Sequence, residues 1–206
     1  MKRLAFSDDM MRAIAANPSQ KSMTRRPEKR ATPDAKGRMF WKFYTEDPNG
    51  LPAPSIRWDG NISVLRPRFK VGEFVAATCA YIQNGDKTEL HYRFANTIRV
   101  KEEELKPFKY AWKTSRIMPA ALAPFVLRIT EVKAERLGEI TDADAEREGA
   151  LWWWQGRREM PPPTPPARAS DAFFQLWLSV YPKKNRHVIK NEWVWAYGFE
   201  VAERRI

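Results

Sequence analysis

The chain has 206 residues, 43% of them hydrophobic and 13% aromatic, and a formal net charge of +11. That is enough apolar material for one substantial core, which excludes a globally disordered chain. The positive excess favours an anionic partner, nucleic acid being the commonest soluble one, although a merely basic surface has the same charge.

The chain opens on "KRLAF", a short first strand, with too short an apolar segment for a signal peptide. Ser7 follows as an N-cap, with Asp8 and Asp9 in a first turn where the helix dipole favours acids. Met10, Met11, Ile14 and Ala15 recur at helical spacing, so a short amphipathic helix is expected over 8–16, ended by Asn17-Pro18. Then comes "SQKSMTRR", which places Lys21 three residues before Thr24 and adds Arg25 and Arg26. From Lys21 to Lys42 there are eight Lys/Arg against two acids, the strongest basic cluster of the chain, and part of it is expected to be a mobile arm.

"RMFWKFY", "APSIRW" and "ISVLRPRF" read as strands separated by the turn signals "EDPNG" and "WDGN". "KVGEF" is a turn into the buried strand "FVAATCAYI", and "QNGDK" is a hairpin turn into "TELHYRFA". Cys79 is the one cysteine, so no internal disulfide forms; with the distant His91 and His187 it makes no zinc set. No metal and no cofactor is expected. Residues 97–120 are irregular and close on "WKTSRIMP", followed by a strand over about 125–133. Thr141 caps "DADAERE", with Asp144 three residues on, and Gly149 stops that helix.

"LWWWQGRREMPPPTPPARA" is an aromatic, Pro-rich loop, in which Trp152, Trp153 and Trp154 cannot all face one core. Ser170 caps "DAFFQLWLSVY", whose Phe173, Phe174, Leu176, Trp177 and Val180 form a broad apolar face. "PKKNRHVIK" is a second basic loop. In the last strand, Trp193, Trp195, Tyr197 and Phe199 alternate onto one face. No run is long enough to span a membrane, so a cytoplasmic chain with no membrane partner is expected. Short strands with a few short helices suggest an α+β fold: a small mixed β-barrel with helices on its rim.

Lys21 and Thr24 invite a chemical reading. A threonine hydroxyl needs a base beside it to act as a nucleophile, and a lysine whose pKa falls through burial and nearby positive charge is one. A bare K-x-x-T is common by chance, and Lys21 as a solvated turn residue is its ordinary meaning. A carboxylate would complete the set. Asp142, Asp144, Glu146 and Glu148 lie on the short helix, and Glu148 sits in the last turn, where the helix dipole disfavours an acid. Such a local violation sometimes marks function, while charge runs are usually a solvated face.

Taken in order, "LAFSDDMMRAI", "QKSMTRR", "WKTSRIMPAALAPFVLRITEVKAERLGEITDADAEREG", "AFFQLWLSVY" and "NEWVWAYGFEV" resemble the ASCH-domain proteins, a branch of the PUA-like β-barrels. The longer bacteriophage and prophage type is the nearest in character. The resemblance implies a single PUA-like domain over 1–206, with insertions at 28–70 and 81–111 and a Pro-rich loop at 152–168. It also implies a cleft for RNA, single-stranded nucleic acid or a modified nucleoside.

In one characterised branch of the family, the enzyme removes the acyl group from N4-acetylcytidine. Its lysine and threonine match Lys21 and Thr24, and its glutamate falls on Glu148. By that resemblance Thr24 attacks the amide, Lys21 takes its proton, and Glu148 orients Lys21 or protonates the departing amine. Arg25, Arg26, Trp112, Ser115 and Arg116 flank the matched motifs and are the expected nucleic-acid contacts. The alternatives are a non-catalytic phage module that recognises RNA or a modified base, and a ribonuclease. Where the family usually has a glycine two residues before the lysine, this chain has Ser19.

Overall fold

The computed structural model describes residues 1–18, 21–27, 41–44, 53–58, 61–64, 66–83, 90–95, 112–156, 166–181 and 192–206. Ten strands lie among them: β1 (Lys2–Ala5), β2 (Met23–Pro27), β3 (Trp41–Tyr44), β4 (Ala53–Trp58), β5 (Asn61–Val64), β6 (Phe74–Thr78), β7 (Tyr81–Gln83), β8 (Leu90–Tyr92), β9 (Phe125–Arg136) and β10 (Trp193–Arg204). Four α-helices accompany them: α1 (Asp8–Ala16), α2 (Asp142–Arg147), α3 (Ala150–Gln155) and α4 (Ala169–Val180).

The fold is mixed α+β, built on a five-stranded sheet in the order β1-β6-β9-β10-β2. β1 runs parallel to β6 and the other pairings are antiparallel. β3, β4 and β5 form a separate antiparallel sheet inside the expected 28–70 insertion, and β7 and β8 a hairpin inside the 81–111 insertion.

Strand pairing closes no barrel among the described residues, which corrects the expected architecture. β1 and β2 are the edges of the five-stranded sheet, and they are bridged by a side chain instead: Arg26 Nη2 donates to the Ala5 carbonyl. A closed ladder would need backbone groups of β1 and β2 to meet; here a guanidinium spans the gap.

Local chemistry explains the elements. Ser7 Oγ accepts from Met10 N at 3.4 Å, capping α1, which buries Met10, Met11, Ala13 and Ile14. Thr141 Oγ1 accepts from Asp144 N at 3.1 Å and starts α2. Gly149, at φ 76°, ends α2 and begins α3 in one residue, a left-handed conformation that favours glycine. α3 carries Trp152, Trp153 and Trp154, so the three tryptophans are helical and not part of a loop; residues 157–165 of the Pro-rich stretch lie outside the described residues. α4 begins one residue before Ser170, with Arg168 at its N-cap position, because Ser170 N instead donates to Asp142 Oδ1 at 3.0 Å and ties α4 to α2.

β10 is buried on both faces from Trp193 to Phe199. Trp193, Trp195, Tyr197 and Phe199 join Leu4, Met11, Val75, Leu127 and Ile129 in one core. Val194 faces a second core, made with Leu137, Ala145, Trp154, Phe173 and Trp177 from the helical layer. Cys79 is fully buried, and burial pushes its thiol up to about 12, which makes it a packing residue. No helix among the described residues is long and apolar enough to cross a membrane.

Candidate functional site

β2 holds the "MTRR" residues at the edge of the sheet. Its register on β10 sets Thr24 opposite Tyr197, and Arg25 opposite Ala196. Side chains therefore alternate: Met23 and Arg25 share one face, while Thr24 and Arg26 share the other. Lys21 stands just before the strand. The chain around it is anchored by Ser22, whose N–H donates to the Arg147 carbonyl at 2.9 Å and whose carbonyl accepts from Phe199 N at 2.7 Å. The first of these bonds fastens β2 to the end of α2, and that is where Glu148 sits.

Lys21 is 1% exposed and Glu148 4%. Lys21 Nζ donates to Glu148 Oε2 at 2.6 Å and to the Met23 carbonyl at 2.5 Å. The other Glu148 oxygen accepts from Arg25 Nη1 at 3.2 Å. Arg25 also reaches Glu135 Oε1 at 2.6 Å and Asp144 Oδ2 at 3.1 Å. An acid at a helix C-terminus is thus compensated by two buried cations.

Burial lowers the pKa of Lys21, with help from Arg26 and Arg25; the pull of Glu148 in the other direction is not enough to reverse it. For Arg25, burial works against the charge, but Glu148, Glu135 and Asp144 outweigh it and raise its pKa. A neutral lysine amine has two N–H donors and one lone pair. Met23 O and Glu148 use both donors, which leaves the lone pair to accept a proton.

A cavity of about 70 Å³ is lined by Lys21, Thr24, Arg25, Arg26 and Glu148 together with Phe6, Ser7 and Met10 from the α1 side and Phe173, Leu176, Trp177, Val180 and Tyr181 from α4 and its end. The three residues expected to carry chemistry therefore line one cavity. The Thr24 hydroxyl is not a partner of either Lys21 hydrogen bond.

The expected nucleic-acid contacts divide. Arg26 lines the cavity and stacks over Phe6 at 5.5 Å. Arg25 lines it too, but it is 2% exposed and its guanidinium is committed to carboxylates, so it is a structural cation and not a phosphate contact. Trp112, Ser115 and Arg116 are not brought to the cavity. Their segment is tied to β7 by the Tyr81–Lys113 bridge and to β1 by Arg3, which donates to Met118 O.

Sequence reasoning missed Glu135, buried on β9, and the wall contributed by α4. A carboxylate within an otherwise alternating strand was the available signal for the first. For the second there was none, since an apolar helix face reads as core. Among the described residues no group of three or more His, Cys, Asp or Glu is placed to hold a metal ion.

No protein-family model matches the chain, and no curated protein matches it. Among solved structures it is similar to protein EF3133 from Enterococcus faecalis V583, of the family DUF984, at 10% identity over 99% of this chain and 82% of that one. The TM-score is 0.38, too low to argue either fold or activity from.

Proposed function

We propose that the chain is an ASCH-type, PUA-like domain whose cavity takes a modified nucleoside, free or within single-stranded nucleic acid, and hydrolyses an N4-acylcytidine-type amide. The observation that carries this reading is the convergence of Lys21, Glu148 and Thr24 on one cavity, with Lys21 buried and its pKa lowered. A sheet whose two edges are bridged by Arg26 suits a PUA-like barrel left open at its binding cleft.

In this reading the Thr24 hydroxyl adds to the amide carbonyl as neutral Lys21 takes its proton. The tetrahedral intermediate collapses with cleavage of the C–N bond, and the Lys21 proton passes to the departing exocyclic amine. Water then adds to the Thr24 ester as Lys21 takes its proton, the acyl C–O bond breaks to release the carboxylate, and that proton returns to the Thr24 oxygen. Glu148 holds Lys21 in place through its 2.6 Å hydrogen bond.

The second reading is a non-catalytic base-binding module. It is favoured by one observation, that both described hydrogen bonds of Lys21 bypass Thr24. A panel of N4-acylcytidines and other modified nucleosides, followed by mass spectrometry, separates the two. Turnover by the wild type and a loss of at least about 100-fold in Lys21→Ala, Thr24→Ala and Glu148→Ala is expected. A well-folded wild type that turns over no member of the panel leaves the binding module.

A further inference from the structure

The carboxylate and carbonyl acceptors around Lys21 are used, while two donors in the same cavity lining are not. Both Glu148 oxygens are taken, one by Lys21 and one by Arg25, and the Met23 carbonyl is taken by Lys21. In contrast, two buried donors that belong to cavity-lining residues have no acceptor among the described residues: the Arg26 Nε–H and the Trp177 indole Nε1–H. Trp177 is 4% exposed, so its N–H is cut off from bulk water. A buried donor left unmatched loses its hydration for nothing in return, and native structures seldom tolerate one without a reason.

Trp177 is also held firmly. Its ring packs against Phe173 at 5.8 Å and Tyr181 at 4.8 Å between centroids. Phe6 joins Phe173, Trp177 and Tyr181 in the lining, so much of the wall is aromatic, the surface on which planar rings stack.

We infer that Trp177 is a specificity-determining residue whose indole N–H, with the Arg26 Nε–H of the same cavity lining, donates to a carbonyl oxygen of a planar heteroaromatic ligand. This rests on the proposed function for the choice of an acylated cytosine, but not for the chemistry: donors without acceptors select a ligand that carries acceptors. Pyrimidine rings with a ring carbonyl fit that requirement, and hydrocarbon or donor-only rings do not.

The test is the ¹H–¹⁵N spectrum of the indole groups, with Trp177 assigned through its contacts to Phe173 and Tyr181, during titration with N4-acetylcytidine, cytidine and uridine. Hydrolysis by the wild type and by Trp177→Phe is measured in parallel. A downfield move of the Trp177 N–H on ligand addition is expected, with KM or Kd raised about tenfold in Trp177→Phe and kcat little changed. Turnover with an unmoved Trp177 resonance overturns the inference and leaves the amidohydrolase standing. Absent turnover with a moved resonance overturns the amidohydrolase and keeps the inference. Neither turnover nor any shift with the three probes overturns both. The resonance is read on the wild type, so it decides even if Trp177→Phe fails to fold.

Discussion

Lys21 is buried apart from the cavity it lines, and the surroundings decide what its nitrogen does. Burial lowers its pKa, so the neutral amine becomes common at a lower pH than for an ordinary lysine. If that amine is the base, activity rises with pH as Lys21 loses its proton and levels off below the normal lysine range. Lys21→Arg, which stays charged at every accessible pH, is expected to lose at least about 100-fold in kcat and the whole of that limb. A pH–rate profile on both proteins checks this; an unaltered limb in the variant assigns the titration elsewhere. Spacing alone leaves Lys21 with two meanings, and its meeting with Glu148, 127 residues away, was signalled by the misplaced acid at the helix end and by the family resemblance. Arg25 was misjudged for a similar reason. Its partners Glu135 and Asp144 lie 110 and 119 residues off, so a basic dipeptide that reads as a nucleic-acid contact is half inside a carboxylate cage.

At the level of elements, periodicity and caps located α1 and β10 well, because a strong alternation or a Ser cap is local information. What joins the elements was not legible. Gly198 shows why. A methyl group there would lie 2.8 Å from Glu131 Cβ and 3.0 Å from Arg147 Nη2, so β10 must be bare at this point for the Glu131–Arg147 ion pair to cross it. Arg147 is also the residue whose carbonyl fastens α2 to Ser22. Gly198→Ala is therefore expected to destabilise the fold by about 1–3 kcal/mol through overpacking, as read by urea denaturation. A stability unchanged from wild type would mean that the α2 end yields freely. Closure of the sheet was not legible at this level either: strand count and turn signals describe strands, and they do not say whether two edges meet by backbone or by an arginine side chain.

On the scale of the whole molecule, the net charge of +11 has little to do with the cavity, where Lys21 and Arg25 stand among Glu135, Asp144 and Glu148. Much of the excess lies in the basic stretch after β2 and in "PKKNRHVIK", outside the described residues. If those segments meet a phosphate backbone, affinity for a single-stranded RNA oligonucleotide falls log-linearly with salt, with a slope of about −0.7 per phosphate neutralised. Filter binding across a salt series checks it, and an affinity indifferent to salt would refute a polymer partner. Hydrolysis of a free nucleoside is expected to be far less sensitive, because buried groups are poorly screened. The sheet order carries a further consequence for how the protein is made. Among the described residues β2 has one strand partner, β10, which leaves the ribosome long after it. Lys21, Thr24 and Arg25 must therefore wait, unpaired, through synthesis of most of the chain before their strand has a neighbour. The nascent protein has no working cavity until residues 194–198 emerge, so a chain stalled or cut short of that point carries the chemical groups but not the site.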